Sequence, residues 1–428
     1  MAGFRLELPT IQNWSCHNCS GCCRQHAIEI TETERERIIA QGWTEEDGIA
    51  SETPVVVPFG GFPWQKRYRL GHRSDGSCVF LNEDGLCRIH AKFGEAAKPL
   101  ACRIYPFTFH PAGGRLTVSL RFSCPSVVAN RGKPVPERRG ELRKIAKLAL
   151  PESADEAEPP RISKKQSVSW QDFHRFLEKL DDSLADSGKP FLHRLLDTLQ
   201  WLEIVGESRF ETVKDARLVE FLNLIVPQST GNGPEESLEQ EPPSKIGFTQ
   251  LRMLVAQYAR KDTFKEMQEG WRGRWKLLTA AIRFARGKGS IPVLREGFRD
   301  VPFAEIEQDF GPLPEGSEEL FERYFRVKVQ GIHFCGLAYY GIPFVEGFQS
   351  LALIYPVVIW IARWLALSND RHALMIEDIQ TALSIADHHH GFSPAFGRNS
   401  FRKRVRLLAE TGDLSKLCVH YGIGKARD

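Results

Sequence analysis

Hydrophobic and polar positions divide the chain into a front part of short extended segments and a longer part with helical spacing. Residues 4–8 alternate apolar and charged side chains, which predicts a short strand. Thr31 and Glu34 match a capping box, so we expect a helix over residues 32–41. Residues 68–125 are rich in strand-forming and turn-forming residues, and predict short hairpins rather than long helices.

Two pairs of segments in this front part predict hairpins. Residues 78–81 and 86–89 flank a turn that ends in Asp-Gly. Residues 103–110 and 115–122 flank a second turn that contains two glycines. We expect these turns to bring four cysteines together in pairs: Cys78 with Cys87, and Cys102 with Cys124.

From residue 137 onward, apolar residues recur at helical spacing, and two polar, proline-containing stretches interrupt them. The predicted fold class is α+β, predominantly α, with a small irregular cysteine-rich domain of short β-hairpins followed by a larger all-α region. The predicted domains are residues 1–132 (cysteine cluster), 133–227 (helical segment), 228–245 (linker) and 246–428 (C-terminal helical domain). The expected helices are 137–150, 170–184, 190–205, 211–225, 248–269, 270–285, 315–340, 346–367, 375–387, 400–410 and 414–421.

One apolar stretch requires comparison with a membrane span. Leu351–Leu367 is nearly all apolar, but it contains Arg363 and falls short of the ~20 residues that cross a bilayer. We therefore expect a buried core helix and no membrane span. Residues 1–14 carry charges and lack the apolar core of a secretory signal, which predicts a cytoplasmic protein with reduced thiols.

Composition sets broad limits on function. The chain has 428 residues, is 42% hydrophobic and 26% charged, and carries a formal net charge of +3. This composition is typical of a globular protein of about two to three domains. The near-neutral charge gives no electrostatic case for specific nucleic-acid binding. The basic helix at 272–286 is expected to pack through its aromatic residues, with a protein or RNA contact as the alternative, and the oligomeric state stays open.

Cysteines carry the main chemical signal, because eight of the ten lie in the first 124 residues. They begin with a C-x2-C-x2-C-C knuckle at Cys16, and thiolates are soft ligands suited to zinc and iron–sulfur clusters. Eight sulfurs could fill two sites, or one site with several thiols nearby. The predicted cofactor is an iron–sulfur cluster, with 4Fe–4S favoured, or zinc. The candidate metal ligands are Cys16, Cys19, Cys22, Cys23, Cys78, Cys87, Cys102 and Cys124.

Two known iron–sulfur motifs do not match. The radical S-adenosylmethionine motif, C-x3-C-x2-C, is absent because Ser15 stands where its first cysteine would be. The bacterial ferredoxin run agrees with the knuckle in its first three positions, but His26 replaces its fourth cysteine.

Four segments together resemble the YkgJ-type cysteine-cluster family of zinc- or iron-chelating domains. They are the knuckle, Cys78–Leu81 with Gly85–His90, Lys98–Phe107, and Cys124-Pro125. The resemblance covers residues 13–130 and implies that the eight cysteines hold a metal centre. The layout is also similar to that of flagellin lysine N-methylases, which implies an iron–sulfur centre and methylation of lysines on a protein substrate. Residues 140–428 show no distinct catalytic motif.

Arginines stand next to several cysteines, at Arg24, Arg88 and Arg103, with Arg121 close to Cys124. Four thiolates around a divalent ion or an oxidised 4Fe–4S core leave a net charge of −2, which guanidinium groups would offset. The sharper hypothesis assigns Arg24 or Arg103 to cofactor binding, through a carboxylate or phosphate of a molecule such as S-adenosylmethionine.

Histidines are the remaining candidate ligands. Those near the cysteines, His17, His26, His90 and His110, could each replace a sulfur, and His90 is the best placed. Residues 387–390 read Asp-His-His-His, and we expect a solvated helix cap there rather than a metal site.

Three functions follow from these observations. The leading prediction is a metal-centre protein whose helical part is a platform for a protein substrate or partner. The alternatives are a lysine N-methylase-like methyltransferase and an interaction module built on structural zinc.

Overall fold

The computed structural model describes residues 4–59, 66–150, 157–228, 241–260 and 270–424. Most of the predicted linker at 228–245 lies outside these residues, as does the start of the polar stretch at 151–165. Within the described chain, the strands lie before residue 121 and the helices dominate after residue 134. The prediction of an α+β class that is predominantly α is confirmed.

Six short strands form two small sheets in the described N-terminal part. One sheet has the order β1-β6-β5 and the other the order β2-β4-β3. In the first, β5 and β6 are the predicted hairpin with Phe107 opposite Leu120, and β1 runs parallel to β6. The strands are β1 (Arg5–Glu7), β2 (Glu29–Ile30), β3 (Val56–Pro58), β4 (Tyr68–Leu70), β5 (Phe107–Pro111) and β6 (Arg115–Leu120).

The segment around Cys78 differs from the predicted regular hairpin. Single bridges join His72 to Cys78 and Leu81 to Cys87, and the Arg88 amide donates to Phe80 O over 2.8 Å. Residues after Cys87 enter a helix instead of a strand, so the second arm is only one bridge long. The turn nevertheless keeps both ends of the segment together.

Short helices fill the rest of the front part. The predicted capping box is present, because Thr31 Oγ1 accepts from the Glu34 amide and Glu34 Oε2 accepts from the Thr31 amide. The helix that this box begins ends at Ala40, before Gly42. The front helices are Gly21–Gln25, Glu32–Ala40, Arg88–Phe93, Leu100–Ile104, Pro125–Val128 and Arg139–Ala149.

The later helices agree with the predicted ones in position, with changes in extent. The helix expected over 248–269 is Lys245–Ala259, and residues 261–269 of that prediction lie outside the described residues. The helix expected over 315–340 ends at Gln330, the one expected from 211 begins at Ala216, and the one expected over 346–367 divides at Leu353. The helices are Trp170–Ala185, Phe191–Glu207, Ala216–Gln228, Lys245–Ala259, Gly270–Arg286, Phe303–Ile306, Ser317–Gln330, Phe344–Ala352, Ile354–Ser368, Ile376–His389, Asn399–Glu410 and Asp413–Gly422.

Two hydrophobic cores hold these elements. The large core joins the first sheet to the helices, and it contains Leu6, Phe107 and Cys124 together with the helix Ile354–Ser368. The small core gathers residues between β2 and the helix Arg88–Phe93, including Cys78. Cys23 of the cysteine knuckle packs against the small core. The predicted domain boundary at residue 132 stays a prediction, since residues on both sides of it share the large core.

The apolar stretch Phe344–Ser368 is long and apolar enough to cross a membrane by length and composition alone. Its most apolar window is 100% buried inside the protein. It packs against the helices Ile376–His389, Asp413–Gly422 and Lys245–Ala259. The interpretation as a buried core helix is confirmed.

Candidate metal centre

The cysteine knuckle is a left-handed turn followed by one turn of helix. Asn18 and Ser20 adopt positive φ angles of 58° and 56°, and the helix Gly21–Gln25 follows directly. The Cys78 amide donates to Cys23 O over 2.8 Å, which ties the knuckle to the segment around Cys78. Gly85 also packs here: its φ is +79°, and a side chain there would come within 2.7 Å of Asn18 O. The turn before Cys87 is therefore fixed against the knuckle.

Five cysteines from three parts of the chain interact electrostatically with one another, and we call them the five-thiol group. The sulfur atoms of Cys22 and Cys23 are 3.9 Å apart. The contact between the two thiols lowers the pKa of Cys22 to about 6 and raises that of Cys23. Electrostatic interactions link these two to the remaining members, and the group is Cys22, Cys23, Cys78, Cys87 and Cys102.

Burial sets the protonation of the deeper members of this group. It raises the pKa of Cys78 to about 12, and raises that of Cys102 as well. Neighbouring thiolates add to the effect, because like charges in a region of low dielectric disfavour each other's ionisation. A bound cation would reverse this balance and hold several thiolates at once.

Cys19 and Cys124 lie together outside the five-thiol group. A side chain at Gly21 would be 3.5 Å from the Cys19 sulfur and 3.7 Å from Pro125 Cδ. Burial raises the pKa of Cys124, and Cys19 contributes to the increase. Cys102, in the helix Leu100–Ile104, packs against the small core, whereas Cys124 belongs to the large core. The expected proximity of Cys102 to Cys124 stays a prediction. The predicted proximity of Cys78 and Cys87 agrees with their electrostatic interaction.

Tyr105 is a buried phenol that interacts electrostatically with a thiol of each set. Burial raises its pKa strongly, and the thiols of Cys124 and Cys22 raise it further. Its hydroxyl is 3.3 Å from Ser123 Oγ, and its ring is 5.0 Å from that of His26. The two sets of sulfurs are thus neighbours of one buried phenol, so they form parts of one region.

The cations that act on the thiols differ from those suggested by chain adjacency. Lys98 lowers the pKa of Cys22 and opposes the increase in the pKa of Cys102. Arg73 opposes the increase in the pKa of Cys78. Adjacency to a cysteine along the chain does not by itself bring a guanidinium to the sulfur.

The arginines named from the sequence have other surroundings. Arg24 is exposed, donates to Ser20 Oγ and lies 3.9 Å from Asp75. Arg88 extends over Gly48. Arg103 is half-buried, and its Nε has no hydrogen-bond partner among the described residues. Their assignment to cofactor binding stays a prediction.

The candidate histidines separate into exposed and buried ones. His90 is exposed, and His17 is paired with Ser126 Oγ. His26 stacks on His388 with ring centroids 5.0 Å apart, and His110 lies 4.9 Å from His333. Burial lowers the pKa of both His26 and His110 to about 3.

The expectation of a solvated cap at residues 387–390 is wrong. Asp387, His389 and His390 are buried, and Asp387 forms a 2.6 Å ion pair with Lys328 in which both side chains are 0% exposed. The reason is that the end of the helix Ile376–His389 packs against the turn after β6 instead of facing solvent. Sequence reasoning missed Lys328 because a single lysine inside an amphipathic helix carries no pattern.

Cysteine thiols are suitable ligands for zinc or an iron–sulfur cluster, but in this structure their sulfur atoms do not surround one common point. Thiolates with nearby cations are the ligands that zinc and iron–sulfur clusters take. Within the described residues, no three His, Cys, Asp or Glu side chains are arranged to hold one metal ion. The five-thiol group supplies thiol ligands for such a centre, and Tyr105 interacts electrostatically with Cys22 of this group and with Cys124.

A cysteine-rich metal-chelating module joined to a helical region is therefore the class that the fold and the site define. Residues 15–125 match the model of the CxxCxxCC family of proposed zinc- or iron-chelating domains. The match contains all eight cysteines and confirms the resemblance seen in the sequence.

Curated relatives match about a quarter of the chain. The chain is 26% identical over 118 residues to the lysine-N-methylases of Salmonella typhimurium and Salmonella choleraesuis, which is 26% of this chain and 29% of theirs. It is 25% identical over 122 residues to the flagellar biosynthetic protein FliU of Salmonella muenchen, which is 28% of this chain and 71% of that protein. The chain thus spans less than a third of the length of the two methylases. No solved structure shows a significant match.

Proposed function

We propose that this chain is a cytoplasmic metal-centre protein that binds an iron–sulfur cluster through its N-terminal cysteines and uses its helical region as a platform for a protein substrate or partner. The observation that carries the proposal is the five-thiol group, in which Cys22, Cys78 and Cys102 come from three separate segments. Cysteines that only fill space in a core do not require a lysine nearby, whereas thiolates that bind a metal are stabilised by one.

Zinc and an iron–sulfur cluster both take thiolates. Zinc requires four ligands at about 2.3 Å from one point, whereas a cluster takes its thiolates at the corners of a wider body. The Cys22 and Cys23 sulfurs are 3.9 Å apart, a spacing that two thiolates on one zinc ion would also have. Zinc is the alternative occupant, and with zinc the protein would be an interaction module.

Anaerobic purification followed by iron, sulfide and zinc analysis tests this proposal. We expect a brown protein that absorbs at about 400 nm, as thiolate-bound iron–sulfur clusters do, with iron and sulfide in equal amounts. A colourless protein with stoichiometric zinc supports the alternative. Protein without either metal, even after anaerobic reconstitution, contradicts the metal centre itself.

A second candidate function is a lysine N-methylase-like methyltransferase. The observation that favours it is the match over 118 residues to proteins named lysine-N-methylase. Under this proposal S-adenosylmethionine binds beside the cysteines, and a lysine of a protein substrate accepts the methyl group. Arg103 is the better candidate for the carboxylate of the donor, because its Nε is buried and unpaired while Arg24 is exposed and bonded to Ser20.

Binding of S-adenosylmethionine to the metal-loaded full chain tests this candidate. We expect binding that Arg103→Ala weakens about tenfold or more, since a buried charged hydrogen bond to a carboxylate contributes at least ~1.5 kcal/mol. Arg24→Ala is the matched control and should change binding little. Absence of binding at full metal occupancy rules out the methyltransferase and leaves the metal centre untouched.

A further inference from the structure

The turn that carries Cys124 is held from one side by a helix of the C-terminal region. Asp387 Oδ2 accepts a hydrogen bond from the Ser123 amide over 3.0 Å, and Ser384 Oγ donates to Ser123 O over 3.3 Å. Ser384 and Asp387 are three residues apart and therefore lie on one face of the helix Ile376–His389. Both backbone groups of the residue before Cys124 are thus bound by this one face.

Lys328 completes the arrangement from a second helix. Its Nζ is 2.6 Å from Asp387 Oδ1 and donates to Leu120 O over 3.1 Å. Burial lowers the pKa of Lys328, and Asp387 opposes that change by favouring the ammonium form. Leu120 is the last residue of β6. The ion pair therefore binds the backbone at both ends of the turn that leads to Cys124, through Lys328 at Leu120 and through Asp387 at Ser123.

Stability alone does not explain a buried ion pair at this position. Taking two charges out of water carries a large penalty, and apolar replacements of a buried ion pair are often equally stable. Hydrogen bonds beside a metal ligand, in contrast, fix the direction of the ligand atom, and losing one typically weakens metal binding about 10–100-fold. The hydrogen bonds from Asp387 and Ser384 to the backbone of Ser123, directly before Cys124, are of this second kind.

We propose that Asp387, supported by Lys328 and Ser384, is a positioning residue for Cys124, so that the metal centre is complete only when the helical region is docked against the turn after β6. This inference rests on the proposed function, because it gives Cys124 a role as ligand. It links the occupancy of the centre to the helical region: whatever displaces the helix Ile376–His389 also displaces a ligand.

Two double variants separate positioning from stability. Lys328→Met/Asp387→Asn removes both charges and keeps an oxygen for the Ser123 amide, whereas Lys328→Met/Asp387→Leu removes both charges and that oxygen. Co²⁺ is titrated anaerobically into metal-free full-length protein in competition with a chelator, and cobalt–thiolate absorption is recorded. We expect the Leu variant to bind about tenfold more weakly than the Asn variant and to change the absorption spectrum. Equal affinities and equal spectra would overturn the inference.

Controls cover folding and the role of Cys124. Ser368→Ala is matched, because it removes a buried hydroxyl that accepts from the Arg299 amide over 3.0 Å far from the cysteines, and it should leave Co²⁺ binding unchanged. Ser384→Ala is the milder variant if the Leu variant does not fold, with an expected weakening of about threefold. Cys124→Ala should weaken binding at least as much as the Leu variant. If Cys124→Ala binds like wild type, the inference fails, and only a wild type without cobalt–thiolate absorption contradicts the proposed function.

Discussion

The sulfur atoms of Cys22 and Cys23 lie 3.9 Å apart, and both thiols interact electrostatically with Cys78. The left-handed Ser20 precedes the helical turn that carries both residues, and Cys23 packs against the small core while Cys22 is exposed. With Cys87 and Cys102 the group has one thiol more than a four-ligand site needs, so at least one of its members is an extra thiol in such a site.

Alanine substitution in the five-thiol group should identify that extra thiol. We expect the variants that remove a ligand to lose most of the metal and at least one of the five to retain it, because a four-ligand site cannot use all five thiols. Metal and sulfide per chain, measured after anaerobic purification, give the result. Cys335→Ala is the control, since Cys335 is buried in the large core away from the site. Five variants that all retain the metal would exclude this group as the site.

Lys98 should matter more to the metal centre than the arginines next to the cysteines. It is the cation that acts on both Cys22 and Cys102, whereas Arg24 is exposed and paired with Asp75. Lys98→Gln removes a positive charge beside a site of net charge −2, and we expect metal retention against a chelator to fall several-fold. Arg24→Gln is the matched control. A larger effect of Arg24→Gln would show that the exposed arginine supports the site instead.

Much of the front part could be predicted because its signals are local. The capping box at Thr31 and Glu34 and the hairpin of β5 and β6 depend on residues close in the chain, and both are present. The proximity of Cys78 and Cys87 was predictable for the same reason. The position of Cys102 was not, because a short helix of five residues, Leu100–Ile104, decides which core it faces.

Long-range packing explains what the sequence could not predict. Residues 387–390 have the composition of a solvated helix end, and their burial results from the turn at Ser123, 264 residues earlier in the chain. Lys328 has no local partner that would identify it. The parallel pairing of β1 with β6 likewise joins the two ends of the cysteine region, and neither strand alone predicts it.

Buried histidines should make the protein sensitive to acid. Burial lowers the pKa of His26 and His110 to about 3 from an ordinary 6.5, with Arg121 acting on the first and Lys328 on the second. Burial also lowers the pKa of His333, His388 and His390 well below that value. These side chains stay neutral in the folded state, while the unfolded chain takes up protons below about pH 6.5. The free energy of unfolding should therefore fall as pH drops from 6.5 towards 3.

Urea unfolding of metal-free protein at several pH values checks this dependence. Each such histidine contributes a slope of up to ~1.4 kcal/mol per pH unit. His110→Asn should reduce the slope by about that amount, and His90→Asn, at an exposed position, should leave it unchanged. A stability that is constant between pH 7 and pH 5 would mean that these histidines are hydrated in the folded protein.

Gly331 should be required for the close approach of β6 to the helix Ser317–Gln330. A side chain there would come within 2.4 Å of Ser119 Cβ and 2.9 Å of Ser119 Cα, and Thr117 Oγ1 donates to Gly331 O over 3.2 Å. Gly331→Ala must push the strand from the helix, so we expect a loss of about 1–3 kcal/mol in the free energy of unfolding. Gly140→Ala is the control: no atom lies within 4 Å of the added carbon, and a helical alanine should add up to about 1 kcal/mol. Urea unfolding separates the two, and equal stability of both variants would show that the strand moves aside without cost.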